Sequence, residues 1–175
     1  MSVYTYLRLH CRREEAMARY GRWLGLAEVE PPRLVRERDS LDLALRDGEW
    51  RGLGTFVFVY GPWTVFELLG GGLTGRSVES WLELAQRDDL VYVDCNDAAL
   101  YAELLVTSQG RLVRHFLQDE QDSSEDVNIG ELPEEGRQRF DDWADVVAWA
   151  ETDSDKILRP SHGWLWIHQA NWPDA

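Results

Sequence analysis

Two short runs of β-branched and aromatic residues, separated by only two residues, constrain the fold of this chain most strongly. Residues 55–60 read TFVFVY and residues 63–69 read WTVFELL, with Gly61 and Pro62 between them. Val, Phe, Thr, Trp and Tyr favour extended strands, and a glycine–proline pair favours a tight reversal of the chain. The sequence therefore predicts an antiparallel hairpin at this position.

The same pattern recurs further along the chain. Residues 101–107 and 111–117 are separated by Ser108-Gln109-Gly110 and predict a second hairpin. Single strands are predicted where apolar and polar residues alternate, at 3–10, 41–45, 89–95 and 163–168.

Helical spacing of apolar residues predicts helices at 12–26, 78–87 and 137–151, the second with Ser77 as its N-cap. Pro31-Pro32 predicts a connector outside regular structure. The predicted fold class is α+β, an antiparallel sheet of about six to seven strands built from hairpins, with about three helices packed on it. We expect residues 1–175 to form a single globular domain.

Nothing in the sequence indicates a membrane or secreted protein. The longest apolar runs have about six residues, whereas a bilayer-spanning helix needs about 20. The first 16 residues, MSVYTYLRLHCRREEA, lack the apolar core of a signal peptide. Cys11 and Cys95 are isolated in the sequence and are interpreted as small buried hydrophobic residues. We expect a cytoplasmic protein with no membrane partner.

The negative charge of the chain is concentrated in one quarter of its length. Residues 119–155 contain fourteen acidic residues and two arginines, so they carry −12 of the formal net charge of −14. A concentrated charge creates a directional field that attracts a basic partner and repels nucleic acid phosphates. This distribution indicates a basic protein partner and excludes nucleic acid.

The predicted helix at 137–151 suggests which residues meet that partner. Helical spacing places Phe140, Trp143, Ala144, Val147 and Ala150 on one stripe that should pack on the sheet. Trp149 is then expected to stand exposed among carboxylates, as an aromatic anchor of an interface. Alternatively, the helix presents a solvated acidic face and Trp149 lies under a neighbouring loop. The predicted partner-binding residues are Asp119, Glu120, Asp122, Glu125, Asp126, Asp141, Asp142, Asp145 and Trp149.

Known catalytic and metal-binding patterns do not fit the sequence. HExxH and GxSxG are absent, and Gly70-Gly71-Gly72 with Gly75 lacks the lysine of a phosphate-binding loop. The loop at 118–131 begins somewhat like an EF-hand but has Glu131 where the glycine belongs. Asp94 and Asp97 are interpreted as turn residues. We expect no catalytic residue, no metal site and no cofactor.

Two other functions remain open at this point. Glu67 lies within an apolar strand, and a pocket lined by Trp63, Glu67 and Trp81 would make the protein a small-ligand binder or an enzyme. Alternatively, carboxylates spaced like phosphates would make it an acidic mimic of nucleic acid. The first alternative expects Glu67 to face the core with a raised pKa.

Three segments resemble the immunity proteins of bacterial toxin systems, loosely those with a SUKH-like α+β fold. They are GPWTVFELLGGGL, ELLVTSQGRLVRHFLQDEQD and the terminal GWLWIH. The resemblance implies a small cytosolic protein without catalytic activity that binds a cognate toxin and blocks its active site. An acidic helix and loop would then face basic residues of the toxin.

Overall fold

The computed structural model describes residues 3–136 and 139–170. Nine of its strands form one antiparallel sheet, in the order β10–β9–β8–β7–β1–β6–β5–β11–β2, and β3 and β4 form a separate small hairpin. The strands are β1 Val3–Leu9, β2 Glu28–Arg36, β3 Leu45–Arg46, β4 Glu49–Trp50, β5 Leu53–Tyr60, β6 Trp63–Leu68, β7 Leu90–Asn96, β8 Tyr101–Ser108, β9 Arg111–Asp119, β10 Val127–Gly130 and β11 His162–His168. The predicted class, α+β with an antiparallel sheet, is confirmed, but the predicted count of six to seven strands is wrong because nine strands of the described residues form the sheet.

Four helices accompany the sheet in the described part of the chain, one more than predicted. They are α1 Arg13–Leu24, α2 Ser40–Ala44, α3 Val78–Ala85 and α4 Trp143–Lys156. None of these helices combines the length and the apolar character needed to cross a bilayer.

The helices pack on both faces of the sheet. On one face, Tyr20 of α1 and Trp81 of α3 pack with Leu7, Phe66 and Tyr92 of the central strands. On the other face, buried residues of α4 pack against the opposite side chains of β1, β7 and β8. The sheet is therefore the middle layer, and its central strands are covered on both sides.

Both predicted hairpins are confirmed. Tyr60 pairs with Trp63 across the Gly61-Pro62 turn, and Ser108 pairs with Arg111 across the second turn. The predicted N-cap is also confirmed, because the hydroxyl of Ser77 accepts a hydrogen bond from the backbone N–H of Ser80.

Two predictions in the first third of the chain are wrong. Pro31 and Pro32 lie inside β2 rather than in a connector. Because β2 is an edge strand, its outer side needs no N–H donors, and proline is tolerated there. Residues 41–45, predicted as a strand, mostly form α2, which buries Ser40 and Ala44 at helical spacing. The alternating leucines there are only half-buried or exposed.

The fourth helix begins later than predicted. A 3-10 turn, Pro133–Glu135, ends at Gly136, where φ is +61°. The helix α4 then starts at Trp143, after Asp142 as an extended N-cap, and runs past the predicted end at residue 151 to Lys156. Residues 137 and 138, the predicted start, lie outside the described residues. The predicted acidic loop also contains a strand, β10, at the second edge of the sheet.

A fully buried ion pair links the 3-10 turn Pro133–Glu135 to strand β9 of the sheet. Arg114 of β9 donates from Nε to Oε1 of Glu135 at 2.7 Å, and its Nη1 donates to Oδ1 of Asn128 at 2.8 Å. Glu135 also accepts the backbone N–H groups of Leu132 and Phe140. Burial alone would raise the pKa of Glu135, but these hydrogen bonds and the guanidinium lower it below its usual value.

We predict that Arg114→Met lowers the free energy of unfolding by about 3–5 kcal/mol, because it leaves the Glu135 carboxylate buried without a counter-ion. Arg36→Met is the matched control. Arg36 is 55% exposed and pairs with Asp39 at 2.9 Å, so its loss should change stability by less than about 1 kcal/mol. Urea unfolding followed by tryptophan fluorescence measures both. Equal losses would contradict the assigned role of Arg114.

Candidate functional site

The acidic loop and the start of α4 lie side by side at one end of the sheet. The backbone N–H of Trp143 donates to Oε1 of Gln118 at 2.6 Å, and its indole N–H donates to Oε1 of Glu120 at 2.9 Å. Asp126 and Asp141 border the same small hollow. We call residues 119–126 and 141–145 together the acidic surface.

Eight of the nine predicted partner-binding residues belong to this surface. Asp119 and Asp145 are half-buried, and the other six carboxylates are exposed. Among residues 3–136 and 139–170, no arginine, lysine or histidine forms an ion pair with any of the eight. The structure therefore brings these charges together without neutralising them through its described cationic residues.

Several of the eight carboxylates also have local structural roles. Asp142 caps α4 by accepting the backbone N–H of Asp145 at 3.1 Å. Asp145 in turn accepts the N–H of Asp141 at 2.9 Å. Asp122 accepts the N–H and the hydroxyl of Ser124. By contrast, no hydrogen bond to a described residue involves the side chain of Glu125 or Asp141, so both can change without loss of a cap.

The prediction that Trp149 stands exposed is wrong. Trp149 is half-buried and packs against the core beneath α4. The helix buries Val146, Ala150 and Asp153, and Trp149 follows Val146 by three residues, so it lies on the same side. The predicted stripe included Ala144, which is exposed.

Asp153, which lies beyond the predicted end of the helix at residue 151, is also buried on the packed face of α4. Its carboxylate accepts the hydroxyl of Tyr6 at 2.6 Å and pairs with Arg8 at 2.9 Å, both on β1. The spacing of apolar residues cannot reveal that a charged residue lies on the packed face of α4. The partners that make its burial possible, Tyr6 and Arg8, are far away in the sequence.

A second buried carboxylate lies beside the acidic surface. Asp94 lines a cleft of about 570 Å³, and Asp119, Asp122 and Glu125 line it as well. Burial, together with the charge of Glu103 on β8, raises the pKa of Asp94 to about 6 although Thr5 and Tyr92 donate hydrogen bonds to it. The interpretation of Asp94 as a turn residue is wrong, since it lies within β7. The signal was present in the alternation of Leu90, Tyr92 and Asp94 on one face of that strand.

The predicted pocket of Trp63, Glu67 and Trp81 does not exist, because Trp81 is fully buried in the core on the opposite face. Glu67 itself is not in bulk solvent. Burial and the nearby charge of Glu37 raise the pKa of Glu67 above its usual value, although the guanidinium of Arg159 opposes this shift. The expected direction of its pKa shift is therefore confirmed.

One group of side chains in the described residues has donor atoms close enough together for a metal ion, namely Cys11, Glu15 and Asp88. The guanidinium of Arg19 already lies among them, bonded to Glu15, 2.7 Å from Asp88 and 3.4 Å from the Cys11 sulfur. These residues therefore form an ion-pair cluster around an arginine.

Comparison of the chain with models of known families, with curated proteins and with solved structures finds no match. The geometry of the acidic surface is therefore the basis of the function proposed below.

We predict that Asp94→Asn stabilises the protein above pH 6. In the unfolded chain Asp94 has a pKa of about 3.9, so between that value and about 6 the folded state binds the proton more tightly. Wild-type stability should therefore fall as pH rises through this window, by about 2–3 kcal/mol in total.

The Asp94→Asn variant should lack that fall, whereas Glu83→Gln, which changes an exposed residue of α3, should retain it. Urea unfolding at a series of pH values from 4 to 8 measures the difference. A stability difference from the wild type that is the same at pH 4.5 and pH 7.5 would refute the assignment.

Proposed function

We propose that this protein binds a basic protein partner through the acidic surface and acts in the cytoplasm as an immunity protein that neutralises a cognate bacterial toxin. One observation carries the proposal. Eight carboxylates lie together at one end of the sheet, and none is paired with a described cationic side chain.

Unpaired carboxylates at close quarters repel one another, and a partner that supplies arginine or lysine side chains relieves this repulsion. The field of such a surface also guides a basic partner to the correct face before contact. Binding should therefore be fast at low ionic strength and should slow as salt is added.

The acidic surface is also held in place by contacts of its own. The hydrogen bonds from Trp143 to Gln118 and Glu120 join the loop to α4, and the carboxylate of Asp142 caps the helix. A surface that is ordered before binding loses less conformational entropy when the partner docks, which favours tight association.

The chemistry expected of a basic partner supports a toxin-neutralising role. Enzymes that cleave or bind nucleic acid carry basic residues around the substrate phosphates. An acidic surface that covers such residues would exclude the substrate. The resemblance of three sequence segments to immunity proteins supports the same role.

We predict that the double variant Glu125→Lys, Asp141→Lys loses the partner while keeping its fold. Both residues are exposed and neither is hydrogen-bonded through its side chain to a described residue, so the caps at Asp142 and Asp145 stay intact. The matched control is Glu49→Lys, Glu83→Lys, which makes the same change in net charge at exposed positions elsewhere.

Each protein is immobilised and exposed to an extract of the source organism, and a basic protein retained by the wild type is purified. Stopped-flow mixing should show association at least about tenfold slower for the surface variant, with little change for the control. Cells producing the partner should survive with the wild type or the control and die with the surface variant. Wild-type association and protection by the surface variant would overturn the proposal.

A further inference from the structure

A groove opens on the face of the sheet that carries α4. It lies between the C-terminal end of α4 and the segment that leads into α2, and its volume is about 440 Å³. Tyr4 and Tyr6 of β1 and Phe58 of β5 contribute aromatic side chains to its lining. Glu67 of β6 places a carboxylate among them, directly opposite Tyr6 in the register of the sheet.

The negative charge of Glu67 is only partly balanced by positive charge within the groove. Its side chain is 23% exposed, and its hydrogen-bonding partner is Arg159, whose Nη2 lies 2.7 Å from Oε1. The same guanidinium also serves Glu37, at 3.9 Å, so one cation is shared by two carboxylates. Arg38, the second arginine at the groove, lies beside Asp39 instead, at 3.6 Å.

The ion pair between Arg159 and Glu67 is weak, so another cation can replace Arg159 at this carboxylate. Its side chain is 51% exposed, and ion pairs at that exposure contribute little to stability because water competes for both partners. A cation enclosed by the groove would meet the same carboxylate with less water around it, and aromatic rings attract cations placed over their faces.

We propose that this groove binds a small organic cation, an amidinium or guanidinium group attached to a flat apolar body. The contact with Arg159 indicates that a planar cation with N–H donors fits the carboxylate of Glu67, since the guanidinium already donates a hydrogen bond to it. The groove has the volume of small-molecule sites and combines apolar walls with a few charged groups, as such sites do. Glu67 orients the cation, the partly exposed ring of Tyr4 contacts the apolar body, and Arg159 moves aside.

This site is separate from the acidic surface. None of the carboxylates of residues 119–126 and 141–145 lines the groove. The inference therefore stands or falls independently of the proposed partner.

Benzamidine is the probe, with benzamide as its neutral counterpart of nearly the same shape and benzoate as its anionic one. Binding to the full chain is followed by the shifts of backbone amide resonances in β1 and β6 as each compound is added. Benzamidine should shift residues around Tyr6 and Glu67 and bind at least about tenfold more tightly than benzamide, because it adds a charge-assisted hydrogen bond. Benzoate should not bind.

Three variants test the assigned roles. Glu67→Gln should weaken benzamidine binding about tenfold or more, since it removes the charge but keeps the shape. Arg159→Ala should strengthen binding, because it removes the internal competitor. Arg33→Ala, which breaks the exposed pair with Glu30 on β2, should leave binding unchanged.

The wild-type comparison of benzamidine with benzamide does not depend on any variant folding. Equal binding of the two compounds, shifts confined to residues outside the groove, or no binding of benzamidine would overturn the proposal. Weaker binding to Arg159→Ala would also overturn it, because the arginine would then be part of the site rather than its occupant.

Discussion

The buried guanidinium of Arg114 determines the path of the acidic segment. Residues 119–155 carry a net charge of −12, and such a segment repels itself and tends to extend. Arg114 binds Glu135 and Asn128, and Glu135 holds the N–H groups of Leu132 and Phe140. One cation on β9, the strand next to the edge of the sheet, thus fixes β10, the following turn and the approach to α4. The arrangement of the acidic surface depends on this pair together with the hydrogen bonds from Trp143 to Gln118 and Glu120, which join the start of α4 to the loop.

Much of the fold could be predicted where local signals agreed. In the hairpin formed by β5 and β6, the strand residues and the Gly61-Pro62 turn indicate the same structure, so its register was predictable. The prediction failed where a local signal was overridden by position in the fold. Pro31 and Pro32 are compatible with a strand only because β2 is an edge, and no local pattern identifies an edge. Likewise, the leucines at 41–45 suggest alternation, but burial of Ser40 and Ala44 against the sheet selects a helix.

The candidate site was predictable in its location and not in its details. The acidic loop precedes the helix closely in the sequence, so its acids were expected to extend the same surface, and the structure places eight of the predicted carboxylates together. The predictions for Trp149 and Asp94 were wrong because the surroundings of both residues depend on contacts with residues that are distant in the sequence. Sequence patterns assign charged residues to the surface, whereas Asp153 and Asp94 are buried with hydroxyl or guanidinium partners on distant strands. Placing Asp153 inside α4's packed face also turns Trp149 inward.

The central claim is that a basic partner docks on residues 119–126 and 141–145. Hydrogen–deuterium exchange of the complex with the purified partner tests this claim most directly, because it reports which backbone amides the partner covers. We predict slower exchange in both segments on binding and unchanged exchange in β2, at the other edge of the sheet. Protection confined to β2, or to α1 and α3, with unchanged exchange in the acidic surface would contradict the account.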